Sequence, residues 1–128
     1  MFELLKNIIC SFKEKRISIF TPDITSGIKF KNEIIIWLDS VKSDYSLNYT
    51  CYGNRVVITI SDKLGNKYNV FITFQIPSVL FGLNPDVIII SGVGYSAIEI
   101  KELTSFVEIL KNRTEVYYFD ILNGDKND

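Results

Sequence analysis

Apolar residues recur along this chain with two distinct periods. Within Met1 to Arg16, Phe2, Leu5, Ile8 or Ile9 and Phe12 fall three to four residues apart. That is the spacing of an amphipathic helix, and the basic run KEKR suits a helix C-terminus. Ile17 to Phe20 reads as a short strand stopped by Thr21-Pro22-Asp23, and TPDITSG is loop chemistry. In FKNEIIIWLDSVKSDY, Phe30, Ile34, Trp37 or Leu38, Val41 and Tyr45 line one helical face, although the β-branched run Ile34 to Ile36 would equally suit a buried strand. The length of the stripe favours helix.

Period-two alternation follows: Leu47, Tyr49 and Cys51, then Val56, Ile58 and Ile60, then Tyr68, Val70, Ile72 and Phe74. Gly53-Asn54 and Leu64-Gly65-Asn66 supply turn residues between them, which predicts an antiparallel meander. Pro77 and the GLNP of Gly82 to Pro85 break the chain before Val87 to Ile90, whose continuous apolar run predicts a buried strand. Leu103, Phe106, Val107 and Leu110 share one face of a helix over Leu103 to Lys111. Glu115 to Leu122 reads as a last strand, and the polar residues 123–128 as a frayed tail. Together these predict a single α+β domain over 1–128: a mostly antiparallel sheet of five to six strands, an N-terminal helix and a helix near 103–111.

Composition narrows the chemistry. A chain of 128 residues with 47% hydrophobic and 23% charged residues belongs to the globular class. The longest apolar runs are too short to cross a bilayer, and the N-terminus lacks the basic start and cleavage site of a signal peptide, so a cytoplasmic protein with no membrane partner is expected. Cys10 and Cys51 stand outside any CxxC pattern, which predicts two reduced, at least partly buried thiols. Histidine is absent, so any catalysis must use carboxylates, Lys, Tyr or Ser. The formal charge of −1 provides no global basic field for nucleic acid.

The stretch PDVIIISGVGYSAIEIKEL, Pro85 to Leu103, admits three readings. In the first, Gly92-Val93-Gly94-Tyr95-Ser96-Ala97 is the G-x-G-x-x-A of a dinucleotide site, with Asp120 as a ribose-binding acid; the hairpin-like strands before it argue against the parallel βαβ context this needs. In the second, the glycines turn the chain between two antiparallel strands, Val87 to Ser91 and Ser96 to Lys101. Asp86 then approaches Glu99 and Lys101, and a Mg²⁺ or Mn²⁺ ion held by Asp86, Glu99 and the Ile100 carbonyl would polarise a phosphodiester while Lys101 assists a bound water. In the third, Ser96-Ala97-Ile98-Glu99 is a capping box that starts a helix, and Glu99 and Lys101 are solvated surface charges.

Under the second reading, Pro85-Asp86, the apolar VIII and Ile98-Glu99-Ile100-Lys101 resemble the Pro-Asp and Glu-x-Lys elements of the PD-(D/E)XK nuclease superfamily, over Pro85 to about Leu122. The resemblance implies a restriction-endonuclease-like core, Asp86 and Glu99 as metal ligands, Lys101 as the catalytic lysine, and a nucleic-acid substrate. Homodimerisation through the Tyr117-Tyr118 strand would suit a small nuclease. The alternative is a protein-binding module or inhibitor that acts by surface complementarity and uses aromatic groups such as Trp37 and the tyrosines.

Overall fold

The structure, a computed structural model, describes residues 2–77, 84–91, 93–110 and 112–119. Gly82, Gly92, Lys111, Asp120, Leu122 and the tail 123–128, which figured in the expectations above, lie outside the described residues.

The N-terminal stripe forms α1 (Phe2–Cys10), which buries Leu5, Ile8 and Ile9. This helix stops before KEKR. Phe12 takes a left-handed φ of 50° that ends the turn, and Lys15 and Arg16 instead begin strand β1 (Lys15–Phe20). Helix α2 (Ile24–Val41) starts earlier than the Phe30 stripe predicts, because Asp23 acts as its N-cap: Asp23 Oδ1 accepts the Ser26 N–H at 2.7 Å. Gly27 lies in its first turn because a Cβ there would stand 3.1 Å from Thr21 Oγ1.

The meander appears as predicted, with β2 (Leu47–Tyr52), β3 (Arg55–Ser61) and β4 (Lys67–Gln75) paired antiparallel. Strand β5 (Val87–Ser91), helix α3 (Ala97–Leu110) and strand β6 (Glu115–Phe119) complete the chain. The α+β class holds, but the sheet is mixed. Its order is β2-β3-β4-β1-β5-β6, and β4–β1, β1–β5 and β5–β6 are all parallel. Strand β1 sits in the middle, where all of Ile17 to Phe20 is buried, and all five residues of β5 are buried too. Burial on both faces is the habit of parallel strands covered by helices.

The two faces differ. Alternate residues of all six strands pack with α1 and α2 into one large core that includes Phe30, Ile34, Leu38, Ile19, Ile58, Ile72 and Ile89. On the opposite face, Phe20, Ile88 and Ile90 pack with Leu103 and Leu110 of α3 into a smaller core. Helix α3 thus covers the β1, β5 and β6 end of that face. The two cysteines are free as expected, but exposed and not buried. Cys10 ends α1, and Cys51 lies near the end of an edge strand, where the sheet has only one neighbour.

Candidate functional site

Ala97 to Lys101 is helix, with Ser96 as its cap, and not strand, which corrects the hairpin reading. The Ser96 N–H donates to Glu99 Oε1 at 2.8 Å and the Glu99 N–H to Ser96 Oγ at 3.1 Å, the reciprocal pair of a capping box. The helix wins because Ser96 and Glu99 satisfy amides that a strand would have to pair elsewhere, while Leu103 and Leu110 continue its buried stripe. Asp86 lies at the other end of the sheet. The five residues of β5 separate it from the start of α3, about 16 Å of strand.

The Asp86 carboxylate has a structural task. Its Oδ2 accepts the Arg16 N–H at 2.9 Å, and its own N–H donates to the Arg16 carbonyl at 2.8 Å, which joins the starts of β1 and β5. The Ile100 carbonyl accepts the Thr104 hydroxyl at 2.7 Å, and Lys101 is exposed on the helix. Asp86, Glu99 and Lys101 therefore do not converge. No group of three or more His, Cys, Asp or Glu side chains suited to a metal occurs among the described residues. The donor set does not fit a shared Mg²⁺ or Mn²⁺ ion.

The glycine-loop reading meets a different result. Its parallel context does exist, since β5, α3 and β6 form a βαβ unit. Helix α2 leaves β1 toward one face and α3 leaves β5 toward the other, so the carboxyl ends of β1 and β5 form a switch point of the kind where α/β sheets bind ligands. Tyr95 fills it: its hydroxyl lies 2.8 Å from the Phe20 carbonyl and 2.6 Å from the Ser91 carbonyl, one at the end of each strand. Burial raises the Tyr95 pKa well above the usual phenol value; the Ser91 contact opposes this, and the Glu99 and Asp23 carboxylates add to it. Both helix N-termini at this edge are already occupied by their own capping carboxylates, Asp23 and Glu99. A phosphate would have to displace an anion at each.

A different concavity lies on the part of the sheet that α3 leaves open. Strand alternation and register place Tyr52, Arg55, Thr73 and Ser18 in one row across β2, β3, β4 and β1, and Thr50, Val57, Phe71 and Arg16 in the next. Arg16, Ser18, Arg55, Phe71, Thr73 and Gln75 line a cavity of about 330 Å³ there, with Asn84 and Pro85 at its margin. The Arg16 guanidinium carbon stands 5.8 Å from the centre of the Phe71 ring, a cation–π contact that holds the charge over the sheet. Gln75 is 8% exposed, and its Oε1 has no hydrogen-bond partner among the described residues.

Arg55, Thr73 and Gln75 also border a more apolar cavity of about 830 Å³ at the carboxyl edge of β4, beside Ile24 and Ile28 of α2. Lys31 reaches from α2 to donate to the Gly53 carbonyl, and the turn is pinned by the Asn54 side-chain amide, which donates to the Phe74 carbonyl at 2.9 Å. The strand positions of β1 to β4 that face the open side carry Arg16, Arg55 and Lys67 and no carboxylate. Asp86 flanks them at the margin. The sequence reading missed this site: it put Arg16 in a basic run at a helix C-terminus and singled out neither Arg55 nor Lys67. Alternation within β3 and β4 did mark which of their residues face away from the core.

No protein-family model matches the chain, and no curated protein matches it. Solved structures share its fold. One is an ATPase-domain variant of the large terminase of a Thermus phage, at TM-score 0.61 and 9% identity, over 93% of this chain and 51% of that one. Another is the large terminase of a thermophilic bacteriophage, at TM-score 0.55 and 10% identity, over 91% of this chain and 27% of that one. The same phage protein solved with ADP matches at TM-score 0.57 and 11% identity, over 91% of this chain and 28% of that one. The class that the fold defines is thus a mixed α+β sheet shared with phage large terminases. The chain spans about half, or about a quarter, of the lengths of these counterparts. No helix among the described residues is long and apolar enough to cross a membrane.

Proposed function

We propose that this chain is a nucleic-acid-binding module that grips the phosphodiester backbone on its open sheet face and does not hydrolyse it. The observation that carries this reading is the placement of Arg16 and Arg55, two of the chain's three arginines, around one cavity on a face without strand carboxylates. A net charge of −1 describes the whole molecule; backbone binding depends on the local field, and arginine suits phosphate oxygens because its planar fork donates two parallel hydrogen bonds. The fold shared with phage large terminases is compatible with work on nucleic acid and adds nothing about the chemistry. Hydrolysis is left out because Asp86 and Glu99 stand at opposite ends of β5, and nucleotide binding at the switch point because Tyr95, Asp23 and Glu99 fill it.

The test is polarisation binding of labelled single- and double-stranded DNA and RNA between about 50 and 200 mM salt. Binding should weaken linearly on a log–log plot, and Arg16→Ala and Arg55→Ala should each lower affinity and reduce the slope by about one. Absence of binding at the low end, or binding indifferent to both substitutions, overturns the reading. Cleavage with Mg²⁺ or Mn²⁺ that disappears in Glu99→Ala would restore the nuclease.

One observation favours a protein partner as the second reading. Helix α3 presents Ile98 and Ile109, at 72% and 76% exposure, beside a sheet edge that carries exposed Tyr118. Apolar residues of this size on one helix suit a binding surface. Ile98→Asp with Ile109→Asp would abolish such an interaction without touching nucleic-acid affinity.

A further inference from the structure

We infer that the cavity between Arg16 and Arg55 receives one unstacked base of a single strand, and that Gln75 Oε1 accepts a hydrogen bond from the exocyclic amine of that base. This rests on the nucleic-acid reading above and gives it a substrate class. Four features of the site lead to it.

The first is shape. Arg16 in β1 and Arg55 in β3 flank β4, two strand spacings apart and offset by two residues, since they pair with Phe71 and Thr73 respectively. Their Cα atoms are thus about 12 Å apart. A flat sheet face between them offers no helix or narrow ribbon to enter the major groove of a duplex. A cavity of about 330 Å³ lies at the lower end of the range for small-molecule sites, so it suits a single base and its sugar.

The second is the unpaired acceptor. Gln75 is the chain's only glutamine; it lines the cavity, is 8% exposed, and its Oε1 has no hydrogen-bond partner among the described residues. A buried carbonyl oxygen without a donor is costly, and a ligand N–H placed there removes the cost. Adenine, cytosine and guanine carry an exocyclic amine; thymine and uracil do not.

The third is the apolar wall. Phe71 supplies a ring on the cavity, and Tyr52, 60% exposed, stands at the edge of the Arg55 row. Aromatic faces interleaved with arginine are how sheet surfaces hold splayed single strands, with stacking from the rings and backbone neutralisation from the cations. The fourth is polar lining. Ser18 and Thr73 are register partners on adjacent strands, so their hydroxyls sit side by side on the cavity floor, where they can serve the remaining edge of the base.

The experiment compares wild-type binding of oligo(dA), oligo(dC), oligo(dT) and a duplex of equal length, with AMP, CMP and UMP as competitors. Single strands should bind more tightly than duplex. The adenine and cytosine tracts should exceed thymine by roughly fivefold, the equivalent of one net hydrogen bond. Gln75→Met should erase the base preference and keep the salt slope, whereas Arg16→Ala should lower the slope and keep the preference. The monophosphate competition needs no variant, so a misfolded Gln75→Met leaves the question answerable on the wild type. Equal affinity for all tracts, tighter binding of thymine, or preference for duplex overturns the inference while the nucleic-acid reading stands. No binding of any oligonucleotide removes both.

Discussion

Tyr95→Phe removes one oxygen and leaves the ring in place. The hydroxyl lies 2.8 Å from the Phe20 carbonyl and 2.6 Å from the Ser91 carbonyl, but it has one proton to donate, so it contributes one full hydrogen bond shared between two acceptors. The net worth of such a bond is about 0.5–1.5 kcal/mol, and a buried carbonyl left short of a donor adds part of a desolvation penalty. The phenylalanine ring preserves the contact of residue 95 with the smaller core. The expected loss is therefore about 1–2 kcal/mol.

With a urea m-value of roughly 2 kcal/mol/M for a chain of this size, the unfolding midpoint should fall by about 0.5–1 M with m unchanged. A pH arm checks the cause. The Tyr95 pKa is raised from its ordinary value of 10.0, first by burial, so the native state favours the protonated phenol. Its contribution is full below the unfolded value near 10 and is lost as pH rises toward the higher native value. The advantage of wild type over Tyr95→Phe should thus hold at neutral pH and shrink in the alkaline range. A midpoint shift under about 0.2 M, or an advantage that grows with alkali, would refute the bridging role.

Other expectations follow from single contacts. Ser96→Ala should cost about 1 kcal/mol by denaturation, and Mn²⁺ should not stabilise wild type more than Glu99→Ala, because Glu99 serves a cap and not an ion. Asp23→Ala should lower helix content while Asp23→Asn preserves it. The Asp23 pKa is lowered by its bonds to Ser26, so the advantage over Asp23→Ala should be full above about pH 4 and fade as acid protonates the native carboxylate. Gly94→Ala, at φ 99°, should destabilise by about 1–3 kcal/mol although none of the described residues crowds the position, because the strain is in the backbone. Both cysteines should react with a thiol reagent in the folded protein at rates close to those of the unfolded chain.

Much of the local structure was legible in the sequence. The alternation of Val56, Ile58, Ile60 and of Val70, Ile72, Phe74 named the inward faces of β3 and β4, and the same residues are buried. The stripe Phe30, Ile34, Leu38 favoured α2 over the strand reading of its β-branched run, and Ser96 with Glu99 offered the cap of α3 as one of three readings, which the structure selects. These signals are local because a side chain's burial depends on the period of its own element, and a cap involves residues three apart.

What the sequence could not carry was which strands lie side by side. Adjacent antiparallel strands announce themselves through the short turns between them, as at Gly53-Asn54, but a parallel pair is joined by a long crossover that leaves no nearby mark. Placing β1 between β4 and β5 was a tertiary decision, made by burying Ile17 to Phe20 on both sides at once. That one placement moved Arg16 from a supposed helix end to the open sheet face beside Arg55, and set Ser18 against Thr73. It also brought the Phe20 and Ser91 carbonyls within reach of one tyrosine hydroxyl. Residue types determined what each position could do. Only the lateral order of the strands, which no local period encodes, determined which of them could do it together.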